Sequence, residues 1–249
     1  MIALRNETAL VLGLLFLSFW LLALWRVRTG GRPDLRPIAG YDFLRRMVEE
    51  SAESARPLHV SVGGGGVGDD RSMQTLAGLS LVTELAQPAA TSSARLLVST
   101  ASPALLPMIQ SELRGSFQAA GYPDEFDEAQ ACFLSDNRNA YAIGAAGLVR
   151  DTAPTVSALV GDFGDEYLLL AEPGALYGVP QVAGTGQVRT LPFVWATAEH
   201  ALLGEEIFAA GAYLGKRATH IASLMAQDQM RLLLVLLVSA GVFLESMAV

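Results

Sequence analysis

Two stretches free of charged residues bracket the chain. Residues 9–25 (ALVLGLLFLSFWLLALW) form the first and residues 232–244 (LLLVLLVSAGVFL) the second. The first is long enough for a slightly short membrane span across about 30 Å of hydrocarbon. A cleavable signal peptide would need a small-residue cleavage site after the apolar run. Arg26 and Arg28 follow at once instead, which predicts an uncleaved anchor. Trp20 and Trp25 stand where interfacial aromatics lie. The thirteen residues of the second stretch are too few alone. Extended to residue 249 they reach about 27 Å, enough if Glu245 meets the far headgroups. A buried core helix or a re-entrant segment is the alternative for this end.

Between these ends the periodicity changes. A Gly/Pro-rich linker at residues 30–37 (GGRPDLRP) stops the first helix. Residues 41–55 place Phe43, Leu44 and Met47 on one side of a helix. Residues 58–62 read as a strand, followed by the glycine run Gly63, Gly64, Gly65, Gly66 and Gly68, broken only by Val67. Residues 72–86 read as a second helix of the domain, with Leu76, Leu79, Leu81 and Leu85. Residues 95–99 (RLLVS) predict a buried strand, 103–120 a helix, 131–134 a third strand and 139–149 an Ala/Gly-rich helix. This alternation predicts a parallel sheet covered by helices. Further on, the apolar runs 155–160 and 167–170, joined by Gly161-Asp162-Phe163-Gly164-Asp165, predict a hairpin or tight turn. Residues 192–195 predict another strand and 199–214 an Ala/Gly-rich helix. A last helix from Lys216, with Ile221, Leu224 and Met225 on one face, runs into the second apolar stretch.

The expected architecture is therefore α/β: a Rossmann-like, mostly parallel sheet with flanking helices, plus a transmembrane helix near each terminus. Residues 1–28 form the N-terminal anchor, 29–215 the domain, and 216–249 an amphipathic helix continuing into the C-terminal span. Arg26, Arg28, Arg32 and Arg36 follow the first span; Lys216, Arg217 and Arg231 precede the second. Positive charge near span ends stays in the cytoplasm, which predicts a cytoplasmic domain, both termini outside and residence in the inner (plasma) membrane. At the N-terminal tail Arg5 is offset by Glu7, and the sequon Asn6-Glu7-Thr8 lies too near the membrane to count.

Composition agrees with this layout. Of 249 residues 51% are hydrophobic, with the excess at the ends. A net charge of -8 has the wrong sign for a phosphate-neutralising nucleic-acid binder, so the lipid bilayer is the partner expected and nucleic acid is excluded. Cys132 is the one cysteine, so neither an intrachain disulfide nor a cysteine-based zinc cluster can form.

Candidate chemistry is sparse. Gly63, Gly65 and Gly68 satisfy G-x-G-x-x-G after a strand and before a helix, where a pyrophosphate would sit. Asp69 and Asp70 follow, where their charge opposes a phosphate although it suits the helix dipole. The strand before Ser99-Thr100-Ala101-Ser102 ends without an acid to hold a ribose. A closely packed turn is the alternative for these glycines. Asp162-Phe163-Gly164 copies the magnesium triplet of kinases, without a catalytic-loop H-R-D or a V-A-I-K-type lysine, and reads as turn chemistry. His59, His200 and His220 match no metal-ligand spacing; Glu199, His200, Glu205 and Glu206 read as a solvated helical face. Cys132 reads as a buried, inert thiol. Asp136, Asn137 and Asn139, with Arg138 among them, stand at a strand's C-terminal end, where α/β sheets bind ligands, and give the best single site. No cofactor follows from any of these patterns.

Several segments together resemble an uncharacterised family of bacterial membrane-anchored proteins known as a domain of unknown function. They are R-P-I-A-G-Y-D at 36–42, T-L-A-G-L at 75–79, F-L-S-D-N-R-N-A-Y-A-I-G at 133–144, L-A-E-P-G-A at 170–175 and L-L-G-E-E-I-F-A-A-G-A-Y-L at 202–214. The resemblance implies a membrane-anchored domain of bacterial origin and supplies no activity. The anchors and the small-residue helices 140–147 and 201–215 predict a self-assembling scaffold, a homo-oligomer or accessory subunit of a membrane complex. The alternative is a small-molecule or nucleotide-binding domain, or an enzyme, built on the Gly63–Gly68 and Asp136–Asn139 loops.

Overall fold

The structure is a computed structural model and describes residues 2–30, 35–66, 68 and 71–247, without the side chains of 2–6, 8, 244, 245 and 247. Arg32, and the side chains of Arg5, Asn6, Thr8 and Glu245, therefore lie outside the described residues. The elements run α1 (Ile2–Arg28), α2 (Ala39–Ser54), β1 (Leu58–Gly63), α3 (Ser72–Thr91), β2 (Leu96–Thr100), α4 (Leu106–Ala120) and β3 (Ala131–Phe133). They continue with α5 (Arg138–Thr152), β4 (Val156–Asp162), α6 (Tyr167–Tyr177), β5 (Gln181–Thr185), α7 (Leu191–Thr197), β6 (His200–Leu203), α8 (Ala210–Tyr213) and α9 (Ala218–Met247).

The chain divides into two compact units, Met1–Arg36 with Gly215–Val249, and Pro37–Leu214. In the first, α1 and α9 pack together, and the Trp20 indole donates to the Thr219 carbonyl at 3.3 Å. Both helices are long and apolar enough to cross a membrane, over Ala9–Arg28 and Ala218–Phe243. Their large apolar side chains, such as Leu14, Leu22, Leu232 and Val238, point outward and stay exposed.

The second unit is built on a six-stranded sheet in the order β3-β2-β1-β4-β5-β6, every pairing parallel. This is the doubly wound arrangement anticipated from the strand–helix alternation. β1, β2, β4 and β5 are buried along their whole length, which is why they read as continuous apolar runs without alternation. Right-handed crossovers fix the layers. Steps from β1 to β2 to β3 put α3 and α4 on one face. The steps from β3 through β4 and β5 to β6 go the other way and put α5, α6 and α7 on the opposite face. Accordingly α3 packs on α4, α5 on α6 and α6 on α7. The core under α5–α7 contains Tyr141, Ala142, Leu159, Phe163, Tyr167, Leu170 and Val194.

Three element expectations are corrected, and residues 181–185, which carry no strand pattern, form β5. The expected hairpin after residue 160 is absent: β4 runs on to Asp162, and Tyr167 begins α6. A short apolar run such as 167–170 fits a strand or a buried helix turn equally, and the covered sheet selects helix. Residues 192–195 are the helix α7 rather than a strand. Residues 199–214 are not one helix but β6, a 3-10 turn (Gly204–Phe208) and α8. His200 consequently sits on a strand, its ring 4.7 Å from that of Phe43, and not on a solvated helix. Cys132 lies on the short outer strand β3 and is only half-buried, its thiol donating to the Ala129 carbonyl.

Candidate functional site

Reversal of strand order between β1 and β4 opens a crevice beyond the carboxyl ends of these strands, where open α/β sheets bind ligands. A cleft of about 730 Å³ occupies this end, lined by Arg71, Asp136, Asn137, Arg138, Asn139, Gly164, Asp165, Glu166, Gln187, Arg189 and Thr190. That volume suits a small molecule.

Its floor is an ion-pair network. Asp162, the last residue of β4, is fully buried. Its Oδ2 accepts from Arg138 Nη2 at 2.5 Å and faces Arg71 Nη1 at 3.8 Å, while Oδ1 accepts from Gln187 Nε2 at 3.0 Å. The other arm of Arg138 donates to Glu166 Oε1 at 3.0 Å, and that oxygen also accepts from the Gly164 amide. Arg138 thus forks between two nearly inaccessible carboxylates. Burial works against its charge, but the hydrogen bond to Asp162 and the field of Glu166 prevail and raise its pKa above the ordinary value.

The strand–helix architecture places Arg138 where it is. Asn137 caps α5, its Oδ1 accepting from the amides of Asn139 and Ala140 at 3.1 Å each, which holds the first turn in register. Lower on the same helix, Tyr141 anchors α5 to the sheet. Its hydroxyl lies 2.6 Å from Ser61 Oγ and 3.2 Å from Ser99 Oγ. Below it His59 bridges Ser157 and Ser99 at 2.9 and 3.0 Å. Complete burial lowers the His59 pKa to about 4, so the ring is neutral near pH 7.

Of the residues singled out in the sequence, the structure brings Asp136, Asn137 and Asn139 together in the cleft. Asn137 is committed to the helix cap, leaving Asp136 and Asn139 exposed toward solvent. Gly63, Gly65 and Gly68 do not line it. Gly63 adopts φ +77, and a Cβ there would stand 2.4 Å from the Asp162 carbonyl oxygen. At Gly65 a Cβ would meet Thr75 Oγ1 at 2.1 Å and Asp162 Cβ at 3.0 Å. Gly63 to Gly65 are thus a close-packed turn leading from β1 toward α3 and pressed against β4, pinned by Gly64 N–H to the Asp162 carbonyl and Ala101 N–H to the Gly63 carbonyl, each 3.1 Å. Gly68, at φ +105, instead has open space around it. Val67, Asp69 and Asp70 lie outside the described residues. The Asp162 side chain stands beside Gly65, its Cβ 3.0 Å from where a Cβ there would lie, and β2 runs out into Thr100, Ala101 and Ser102 without an acid. Both features depart from a dinucleotide site.

Pattern reading missed Asp162, Glu166, Gln187, Arg189 and Thr190. The triplet pattern assigns Asp162 to a turn, yet it is a strand-terminal carboxylate buried at the switch point. The available signal was a charged residue ending a long buried strand, across the crevice from the glycines. Among the described residues no group of three or more His, Cys, Asp or Glu could hold a metal ion.

These features define a doubly wound α/β protein with a polar cleft at its topological switch point and two helices long and apolar enough to cross a membrane. The chain belongs to the family described as "Domain of unknown function (DUF6754)", which matches residues 1–249. No curated protein and no solved structure matches it.

Proposed function

We propose that this chain is a membrane-anchored α/β domain that binds a small, acid-bearing polar metabolite in the switch-point cleft. The observation that carries this reading is the convergence of the segments after β1, β3, β4 and β5 on one cleft whose floor carboxylates are both paired with arginine. Asp162 is met by Arg138 and Arg71, and Glu166 by Arg138, so the exposed groups facing a ligand are Asn139 and Arg189, together with the carboxylates of Asp136 and Asp165. Neither Asn139 nor Arg189 has a side-chain hydrogen bond or ion pair among the described residues. An amide and a guanidinium lining one cleft suit a carboxylate or phosphate oxygen. A dinucleotide is the poorer fit, because Asp162 stands against the turn where its pyrophosphate would lie.

The apolar α1 and α9 support the anchoring part of the reading. The arginines at 26, 28, 36, 217 and 231 support a domain on the cytoplasmic side of the plasma membrane, with both termini outside. The small residues expected to drive assembly act partly inside the domain: Ala142 and Ala145 of α5, and Ala210, Gly211 and Ala212 of α8, are buried, and Gly144 faces Leu134.

Thermal denaturation of the detergent-solubilised chain against a panel of small carboxylated and phosphorylated metabolites tests the reading. A ligand at about 100 times its Kd adds about 2.7 kcal/mol to stability, which raises the midpoint by about 5–10 °C for a domain of this size. The variant Asn139→Ala/Arg189→Ala is expected to lose more than half of that rise. If no compound stabilises the protein, or the rise persists in the variant, the proposal fails.

A further inference from the structure

Helix α6 does not have the composition of a solvated helix. Its inner side, Tyr167, Leu170, Ala171 and Gly174, is buried, as the sheet demands. Its outer side carries Leu168, Leu169, Leu176 and Tyr177, exposed by 43, 40, 68 and 48%. A helix on the surface of a monomer presents polar residues there; Glu172 is the one charged residue within α6. The apolar surface continues onto both neighbours, with Ile143 of α5 and with Phe193 and Trp195 of α7. Gly147 adds a shallow point on α5, where a Cβ would meet nothing within 4 Å. The opposite layer is different: α2 exposes Asp42, Arg45, Arg46, Glu49, Glu50 and Glu53. In that layer α3 and α4 expose Met73, Leu76 and Met108, so the apolar surface is larger, rather than exclusive, on the face of α5, α6 and α7.

We infer that the outer face of α5, α6 and α7 is a homodimer interface, occupied by the same face of a second copy of this chain. Three considerations select that occupant. First, area: at these exposures, seven side chains of about 150–250 Å² each leave on the order of 700–800 Å² of apolar surface, close to the roughly 800 Å² that one partner contributes to a standard interface. Second, charge: two chains of net charge -8 repel each other, and an isologous contact sets each surface against itself. Contact is favourable only where the facing surface carries no charge, which holds for the apolar centre of this face, with its acidic residues kept to the rim. Third, the rim: Asp151, Asp165, Glu172 and Glu199 border the patch and Arg150 is paired with Asp151. An acidic rim opposes the anionic bilayer surface that basic residues would seek. This inference is independent of what the switch-point cleft binds.

The test uses the full chain. In a Cys132→Ser background, Leu169→Cys and Leu176→Cys are oxidised in isolated membranes, with Arg114→Cys on α4 as the control. A cross-linked species of twice the chain mass is expected at one or both α6 positions and not at Arg114. Light scattering of the detergent-purified protein is expected to show a twofold fall in protein mass for Leu169→Glu/Leu176→Glu. Because both leucines are exposed, that variant should keep the wild-type circular dichroism spectrum, which separates loss of contact from loss of fold. A monomeric wild-type protein overturns the inference, as does a dimer that persists in the double variant. Cross-links to a protein of different mass overturn it in favour of a heterologous partner. Vesicle binding that the double variant abolishes, without a change in mass, overturns it in favour of lipid.

Discussion

Replacing Arg138 with methionine removes the guanidinium that bridges Asp162 and Glu166 while keeping much of the side-chain volume. Asp162 would retain Arg71 at 3.8 Å and the Gln187 amide at 3.0 Å; Glu166 would retain the Gly164 amide. Breaking a buried pair from one side costs about 3–5 kcal/mol, because the partner charge is left without compensation. The Arg138 side chain is itself 31% exposed, so water replaces part of what it supplied and the lower end applies, about 3 kcal/mol. For a domain of this size that lowers the thermal midpoint by about 6–12 °C. Circular dichroism melting of the detergent-solubilised chain measures it. Adding Asp162→Asn and Glu166→Gln to Arg138→Met is expected to recover a large part of the loss, since neutral amides need no counter-charge. If Arg138→Met melts within about 2 °C of wild type, or the neutralised triple variant is less stable than Arg138→Met alone, the ion-pair floor does not have the role assigned to it.

Gly65→Ala should lower stability by about 1–3 kcal/mol, the usual cost of overpacking, since its Cβ collides with Thr75; equilibrium urea unfolding reads this, and an unchanged midpoint would contradict the packed turn. The His59 ring is held below its ordinary pKa, at about 4, so the unfolded chain binds the proton first. Stability from this residue is fully present above pH 6.5, declines as pH falls and levels off below about 4, a loss of about 3 kcal/mol; His59→Gln, compared with itself across pH, should lack that part of the slope. Burial pushes the Cys132 thiol up, so at pH 7.5 its alkylation by iodoacetamide should run several-fold slower than that of an unfolded control.

How much of this was legible in the sequence follows from where the energy lies. Strands β1, β2 and β4 were readable because burial on both faces forces unbroken apolar runs such as Leu96-Leu97-Val98. β5 was not, because Gln181, Ala183, Gly184 and Thr185 pack tightly without bulk and mimic a loop. The face of α6 misled for the reason that makes it informative: with apolar residues on every side, Tyr167 to Leu170 carries no helical period. At the site, Asp136 and Asn139 were accessible from topology alone, being attached to the strand end that precedes them. Asp162, Glu166 and Gln187 were not. They meet Arg138 only across strand neighbours distant in sequence, and no spacing rule links them.

The central claim, that the loops after β3, β4 and β5 enclose a ligand site, is tested most directly by hydrogen–deuterium exchange of the full chain. The comparison is between the protein alone and the protein saturated with a metabolite that raises its melting temperature. Slower exchange is predicted in residues 135–140, 164–167 and 187–191, with little change at the opposite end of the sheet around residues 174–181. Protection at that opposite end, or along α2, with the three loops unaltered, would contradict the account.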